Sequence, residues 1–124
     1  MSRSFSALAL ALLLPAAAQA ASATQTSTAA PSSAAHHYTV HVKDFAFDPA
    51  TIRIHTGDSV TFVNEDDEAH TATAADKSFD SAGLDTHDTW THRFTRAGRF
   101  AYVCALHPWM KGVVIVTDPA KATP

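Results

Sequence analysis

Cysteine is almost absent from this sequence, since Cys104 is the only one among 124 residues. A single cysteine excludes a disulfide framework within the chain, a zinc ribbon and any cluster held by four thiolates. Basic residues are also few and scattered, nine Lys and Arg against twelve Asp and Glu, which argues against a nucleic-acid-binding protein. The length suits one domain with a single core and excludes multidomain oxidases.

The sequence also lacks a long hydrophobic run. The apolar stretch Ala7–Leu14 is well below the roughly 18 residues that a membrane-spanning helix needs. Arg3 precedes this stretch, and Ala18-Gln19-Ala20 follows it as a small-x-small cleavage site. We therefore predict a secretory signal peptide over residues 1–20, a periplasmic location, and no membrane span after cleavage.

The segment between the predicted cleavage site and the first histidines has no large apolar side chain. Residues 21–36 are mostly Ala, Ser and Thr, and such a composition cannot bury enough surface to offset its ordering entropy. We predict a flexible tether over 21–36, a folded domain over 37–119 and a short tail over 120–124.

Short alternating runs of apolar and polar residues dominate the predicted domain. They occupy positions 38–43, 52–55, 60–63, 89–95 and 100–104. The run 112–117 is continuously apolar, which predicts a strand covered on both sides. Turn signals separate the runs, and no segment of helical period competes with them. The pattern predicts an all-β sandwich or barrel of about seven or eight strands.

The most specific chemical signal is the loop that contains Cys104, His107 and Met110 at spacings of three and three. A thiolate, an imidazole and a thioether converge on one ion only if this loop wraps over it, and Pro108 stiffens the turn. A fourth ligand should come from a distant strand end. His70 is well placed, directly after the acidic loop that closes the strand near Asn64.

Two imidazoles, one thiolate and one thioether suit copper. A trigonal His₂Cys set with a long axial Met is typical of blue-copper electron transfer. Zinc could occupy the same ligands, but structural zinc sites prefer more thiolates. A lone Cys or Met is ordinarily core filling; here the only Cys and the only Met past the initiator both stand three residues from one His.

Residues 102–112 resemble the ligand loop of cupredoxins, in particular the amicyanin and plastocyanin-like group with its short Cys-x2-His-x2-Met loop. The segments 45–49, 57–64 and 70–71 are similar to the same group, and the resemblance covers residues 38–117. It implies a Greek-key β-sandwich with one copper ion, type 1, at one end.

The resemblance also implies roles for individual residues. Equatorial ligands would be His70, Cys104 and His107, and the axial ligand would be Met110. The backbone N–H of Thr71 would donate to the Cys104 sulfur. The side chain of Asn64 would tie the two ligand-bearing segments together. The ring edge of His107 would reach the surface within an apolar patch and serve as the port for electrons.

The predicted function is therefore that of a monomeric electron carrier, not an enzyme, which shuttles single electrons between redox proteins. A c-type cytochrome or a periplasmic dehydrogenase or reductase would be the partner. The alternative is a copper-binding chaperone or storage module that uses the same ligands without redox cycling. A nitrite-reducing copper domain would need a second copper site and more chain.

Three further features of the sequence each allow two interpretations. The acidic run 65–68 steers a basic partner or is a solvated turn. Trp109 belongs to a docking patch or packs over the loop. His92 is predicted to be an interior hydrogen-bonded group. The cluster at the start of the domain binds a second, loose metal ion or is solvated; its members are His36, His37 and His41.

Overall fold

Eight short strands account for most of the regular structure. The computed structural model of the protein describes residues 34–121, so the predicted signal peptide and most of the predicted tether lie outside the described residues. The strands are β1 His37–Lys43, β2 Ala46–Asp48, β3 Thr51–His55, β4 Ser59–Asn64, β5 Thr73–Ala74, β6 Thr89–Arg93, β7 Gly98–Val103 and β8 Lys111–Thr117. Within residues 34–121 the only helical element is a one-turn 3-10 helix, Pro119–Lys121. None of the helical structure in this part of the chain is long and apolar enough to cross a membrane.

The strands form two mixed four-stranded sheets. One sheet has the order β2-β1-β4-β6 and the other β3-β8-β7-β5. The pairs β1–β4 and β3–β8 are parallel, and the remaining neighbours are antiparallel. The prediction of an all-β Greek-key sandwich of about seven or eight strands is confirmed. The strands β2 and β5 were missed because three and two residues are too few to show an alternating pattern.

Alternation along each strand decides which side chains enter the core between the sheets. In β1 the buried residues are Val40 and Val42, and in β4 they are Val60, Phe62 and Asn64. These strands pair in parallel and present their buried side chains to the same layer.

The last strand corrects the expectation of coverage on both sides. In β8 the residues Gly112, Val114 and Val116 are buried, but Val113 and Ile115 are only half-buried. A two-layer sandwich covers one face of each sheet, so the continuously apolar run reflects a central strand between β3 and β7, not a third layer.

Aromatic packing ties the centre of the sandwich to the loop that follows β7. The Tyr102 ring contacts Phe47 at 4.7 Å and Phe62 at 5.3 Å between centroids. It also lies across Gly112, where an added Cβ would be 2.7 Å from Cε2 of Tyr102. This close approach requires glycine at the start of β8, two residues after the predicted ligand Met110.

A buried carboxylate fastens the start of β1 to the turn between β3 and β4. Asp58 accepts the backbone N–H of His36 at 2.7 Å and that of His55 at 2.8 Å. Burial of this carboxyl raises its pKa, but the N–H donors and the neighbouring imidazoles outweigh burial and hold the pKa of Asp58 below its usual value. The ionised form of Asp58 therefore stabilises the fold.

This arrangement predicts a defined acid dependence of stability. Replacement Asp58→Asn should lower the free energy of unfolding of the metal-free protein at pH 7 by about 2 kcal/mol, because charge-assisted hydrogen bonds are lost. The contribution of Asp58 is complete above the ordinary Asp pKa of 3.8 and is lost as the pH falls through its lower folded-state pKa. The difference between wild type and variant should therefore shrink in acid.

Urea unfolding at a series of pH values measures this difference. The matched control is Asp48→Asn, since Asp48 is an exposed carboxylate on β2. A difference between wild type and Asp58→Asn that stays constant from pH 7 to pH 2 would contradict the assignment.

Candidate metal centre

The loop between β7 and β8 is closed by its own backbone. The N–H of Cys104 donates to the Met110 carbonyl at 3.1 Å, which extends the β7–β8 pairing by one residue pair. Within the loop, the N–H of His107 donates to the Cys104 carbonyl at 3.2 Å and the N–H of Met110 donates to the His107 carbonyl at 2.9 Å. Two consecutive turns thus return the His107 ring to the side of Cys104.

The other ligand candidate is held by an isolated bridge. His70 and Leu84 exchange both backbone hydrogen bonds, at 3.0 and 2.8 Å, and His70 is fully buried. The Asn64 side chain donates to the carbonyls of Leu84 at 2.9 Å and Glu68 at 2.8 Å. The loop before His70 is therefore shaped around a buried amide.

These bonds correct the role that the resemblance implied for Asn64. Its hydrogen bonds stay within the His70 loop and the Leu84 segment. The side chain that joins the two ligand-bearing segments is Thr71, whose Oγ1 accepts the N–H of Ala105 at 2.8 Å. Thr71 directly follows His70 in the chain, so its side chain can reach the Cys104 loop. The side-chain amide of Asn64 instead bonds the carbonyls of Glu68 and Leu84.

Thr71 also makes the bond to sulfur that the resemblance implied. Its backbone N–H donates to Cys104 Sγ at 3.4 Å, and both groups are buried. An N–H aimed at a thiolate stabilises its negative charge and holds the sulfur in place.

Three of the four predicted ligands meet at one point. Cys104 Sγ lies 3.7 Å from His70 Nδ1 and 3.6 Å from His107 Nδ1, and the two Nδ1 atoms are 3.2 Å apart. The point equidistant from these three atoms is about 2.0 Å from each, which is the length of a metal–imidazole bond. His70, Cys104 and His107 are also the one group of three metal-binding side chains found in residues 34–121.

The position of Met110 agrees with a place beside this group. Its side chain is buried, with 2% exposure, and its backbone closes the ligand loop. Met110 stays a predicted axial ligand.

Comparisons with known proteins agree with this geometry. A family model described as a cupredoxin-like domain matches residues 5–116. The chain belongs to this cupredoxin family. Amicyanin-alpha of Methylorubrum extorquens is 30% identical over 82 residues, which cover 62% of this chain and 69% of that protein.

Solved structures extend the similarity. A purple cupredoxin from Nitrosopumilus maritimus is 26% identical with a TM-score of 0.61, over 64% of this chain and 99% of the other. A copper-containing nitrite reductase from Thermus scotoductus SA-01 is 32% identical with a TM-score of 0.62, over 66% of this chain. The cupredoxin spans only 22% of the length of that nitrite reductase.

The donor set fits the cofactor of this family. One thiolate and two imidazoles in a triangle, without a carboxylate among them, are the equatorial donors of a blue-copper site. The prediction of one copper ion as the cofactor is thereby confirmed, and the cluster of His70, Cys104 and His107 is its candidate site.

An apolar surface surrounds the outermost of these side chains. His107 is half-buried, and its ring meets Trp109 at 5.2 Å and Phe45 at 5.2 Å between centroids. Phe45 is 42% exposed, Leu106 56% and Trp109 66%. We call Phe45, Leu106 and Trp109 the apolar rim. The exposure of Trp109 favours the interpretation as a surface patch over packing across the loop.

Sequence reasoning missed the role of Phe45, although it lies in a segment that resembles cupredoxins. Its ring stands edge-on to the two imidazoles, 5.3 Å from that of His70 and nearly perpendicular to both. It occupies the two-residue turn Asp44-Phe45 between β1 and β2, and both residues have positive φ, 53° and 55°. The sequence signal for such a tight turn would have been a glycine, but neither Asp44 nor Phe45 is glycine.

The acidic run divides into two kinds of residue. Glu65 pairs with His41, whereas Asp67 and Glu68 are exposed. Asp66 is only 12% exposed, and its Oδ2 lies 2.7 Å from His70 Nε2. Burial raises the pKa of Asp66, but two backbone N–H donors and His70 outweigh burial and hold the pKa below its usual value. Neither a wholly solvated turn nor a uniform steering surface describes this run.

The three histidines at the start of the domain contact separate partners. His36 lies 3.6 Å from Asp58, His37 bonds the Thr61 hydroxyl, and His41 bonds Glu65.

His92 is half-buried as expected, but aromatic rings surround it: it stacks on Trp90 at 5.4 Å, and burial lowers its pKa.

The position of Thr71 generates a prediction about the link between the ligand-bearing segments. Thr71→Val keeps the size of the side chain and the backbone N–H to sulfur but leaves the Ala105 N–H without its acceptor. We expect the metal-free protein to lose about 1 kcal/mol of stability, because a partly buried donor loses its acceptor.

The matched control is Thr71→Ser, which retains the hydroxyl and should behave like wild type apart from the lost methyl group. Urea unfolding and Cu(II) titration of both variants measure the effect. Equal losses in the two variants would show that the hydroxyl does not link the segments.

Proposed function

We propose that this cupredoxin is a periplasmic electron carrier whose metal is held by His70, Cys104, His107 and Met110. A copper ion bound there would supply the one-electron couple Cu(II)/Cu(I). The observation that carries the proposal is the triangle of one sulfur and two nitrogen atoms, 3.2–3.7 Å apart, a spacing at which one metal ion can contact all three. The predicted signal peptide supports the periplasmic location.

The chain holds these donors so that little has to move when an electron arrives. His70 is fixed by its backbone bridge to Leu84. Cys104 is fixed by its backbone hydrogen bond to Met110 and by the N–H of Thr71, which donates to its sulfur. Both ligands are fully buried. Hydrogen bonds to ligands fix their orientation, so the same geometry serves both oxidation states.

Access to the centre is confined to one ligand. His107 is half-buried where His70 and Cys104 are fully buried, and the apolar rim surrounds it. A small apolar surface around an exposed ligand edge favours brief docking, which suits a carrier. We infer that electrons pass through the His107 ring to and from redox proteins such as a c-type cytochrome or a periplasmic dehydrogenase or reductase, and that the carrier is a monomer.

The burial of the site favours an electron carrier over a copper chaperone, because a chaperone must hand its ion to another protein. An enzymatic role like that of the nitrite reductase is not proposed, because the similarity covers 22% of that chain.

Copper binding to the purified protein tests the proposal directly. Addition of Cu(II) should produce an intense visible thiolate-to-copper band that bleaches with ascorbate and returns with ferricyanide. A protein that binds Cu(I) tightly but forms no stable coloured Cu(II) state would be a chaperone or storage module.

Cys104→Ser should abolish the band, and Met110→Leu should keep copper and raise the midpoint potential. An unchanged band in Cys104→Ser would refute the ligand assignment.

The apolar rim predicts where electrons enter. Trp109→Lys should slow electron self-exchange between two copies of the copper-loaded protein by about tenfold at low salt, because like charges then meet in the encounter complex. Line broadening in NMR spectra of partly oxidised samples measures this rate.

The control is Ala97→Lys, an equal charge at the turn before β7. β7 runs from that turn to Cys104, a length of about 20 Å. Equal slowing by the two variants would mean that His107 and its rim are not the port.

A further inference from the structure

One carboxylate contacts both a candidate ligand and the turn that covers the site. Asp66 Oδ2 lies 2.7 Å from His70 Nε2 and accepts the N–H of Phe45 at 3.0 Å, and Oδ1 accepts the N–H of Asp44 at 2.7 Å. All three contacts are to residues four or more positions away in the chain. The Asp66 side chain is 12% exposed and its contact with His70 is partly buried, whereas the two bonds to the turn lie at the surface.

The contact to His70 decides which nitrogen faces the metal. A carboxylate that accepts a hydrogen bond from Nε2 requires the proton on Nε2, which leaves the Nδ1 lone pair free. Nδ1 is the atom that points toward Cys104 Sγ and His107 Nδ1. A carboxylate behind an imidazole also raises the basicity of the ligand.

The contacts to Asp44 and Phe45 hold the turn in its conformation. Both residues have positive φ, a region that is disfavoured for residues other than glycine. Asp66 accepts both N–H groups of the turn, which offsets this cost and places the Phe45 ring edge-on against the imidazoles of His70 and His107.

We propose that Asp66 is a positioning residue of the metal centre, which sets the His70 tautomer and holds the Phe45 ring over both ligand imidazoles. The proposal rests on the proposed function and goes beyond it: the loop before His70 tunes the copper centre through one largely covered carboxylate. The negative charge favours Cu(II) over Cu(I), so Asp66 lowers the midpoint potential.

The first experiment replaces the carboxylate and keeps its shape. Asp66→Asn should increase the Cu(II) dissociation constant about 10- to 100-fold. Cu(I) binding should change less, and each tenfold difference between the two should raise the midpoint potential by about 59 mV. Competition titrations and protein-film voltammetry measure both quantities.

The matched control is Asp67→Asn, the same change at an exposed neighbour of Asp66. We expect its Cu(II) dissociation constant and potential to stay close to wild type, because an exposed charge is screened. Equal effects of the two variants would reduce Asp66 to one charge among several and overturn the proposal, as would no effect of Asp66→Asn.

A second measurement needs neither a variant nor redox chemistry. In the zinc-loaded wild-type protein, ¹⁵N NMR should show a proton on His70 Nε2 that exchanges slowly with water, and the amides of Asp44 and Phe45 should be protected from hydrogen exchange. Fast exchange at these three sites would overturn the proposal even if Asp66→Asn fails to fold. An absent blue band in the copper-loaded wild type would instead refute the proposed function, so the two failures are distinguishable.

The link to Phe45 is tested by a double-mutant cycle. Phe45→Leu and Asp66→Asn together should change the Cu(II) dissociation constant by a factor that differs at least about twofold from the product of the single changes, because one residue positions the other. Multiplicative effects would overturn the coupling.

Discussion

The hydrogen bonds of Thr71 fasten together, at the candidate metal centre, two parts of the chain that lie 33 and 34 residues apart. One runs from its backbone N–H to Cys104 Sγ, and the other from the Ala105 N–H to its hydroxyl. The pairing of β5 with β7 brings the same two segments together, and Thr71 fastens them where His70 and Cys104 meet. The two bonds are buried or partly buried, where a hydrogen bond is stronger and an unpaired group more costly than in water. Thr71 therefore helps to hold the donor triangle together.

The candidate site combines rigidity with access, because its proposed ligands are buried to different extents. His70 and Cys104 are closed off by the bridge to Leu84 and by the β7–β8 ladder, while His107 lies at the surface among exposed apolar side chains. A carrier needs both properties, because buried ligands keep their geometry and one exposed ligand meets the partner. Asp66 joins the loop before His70 to the β1–β2 turn through its three contacts.

The parts of this structure that the sequence predicted are those written in local patterns. Val40 and Val42 alternate with polar residues, and β1 buries them as expected. The spacing within the loop and the acidic segment before His70 singled out Cys104, His107 and His70, which meet in the candidate site, while Met110 stays a predicted ligand. The missed parts rest on contacts between distant residues. Asp66 looked like one of four similar acids, and its contacts with His70 and with the β1–β2 turn distinguish it.

The sequence by itself determined the six longer strands and the chemistry of the candidate donor atoms, because alternation and side-chain chemistry are properties of neighbouring residues. The tertiary structure decided which groups meet: Nδ1 and not Nε2 of His70 toward the sulfur, Thr71 and not Asn64 between the segments, and Phe45 over the imidazoles. These choices follow from how two sheets and four loops pack at one end of a sandwich. No short stretch of sequence contains that information, since each contact spans 21 residues or more.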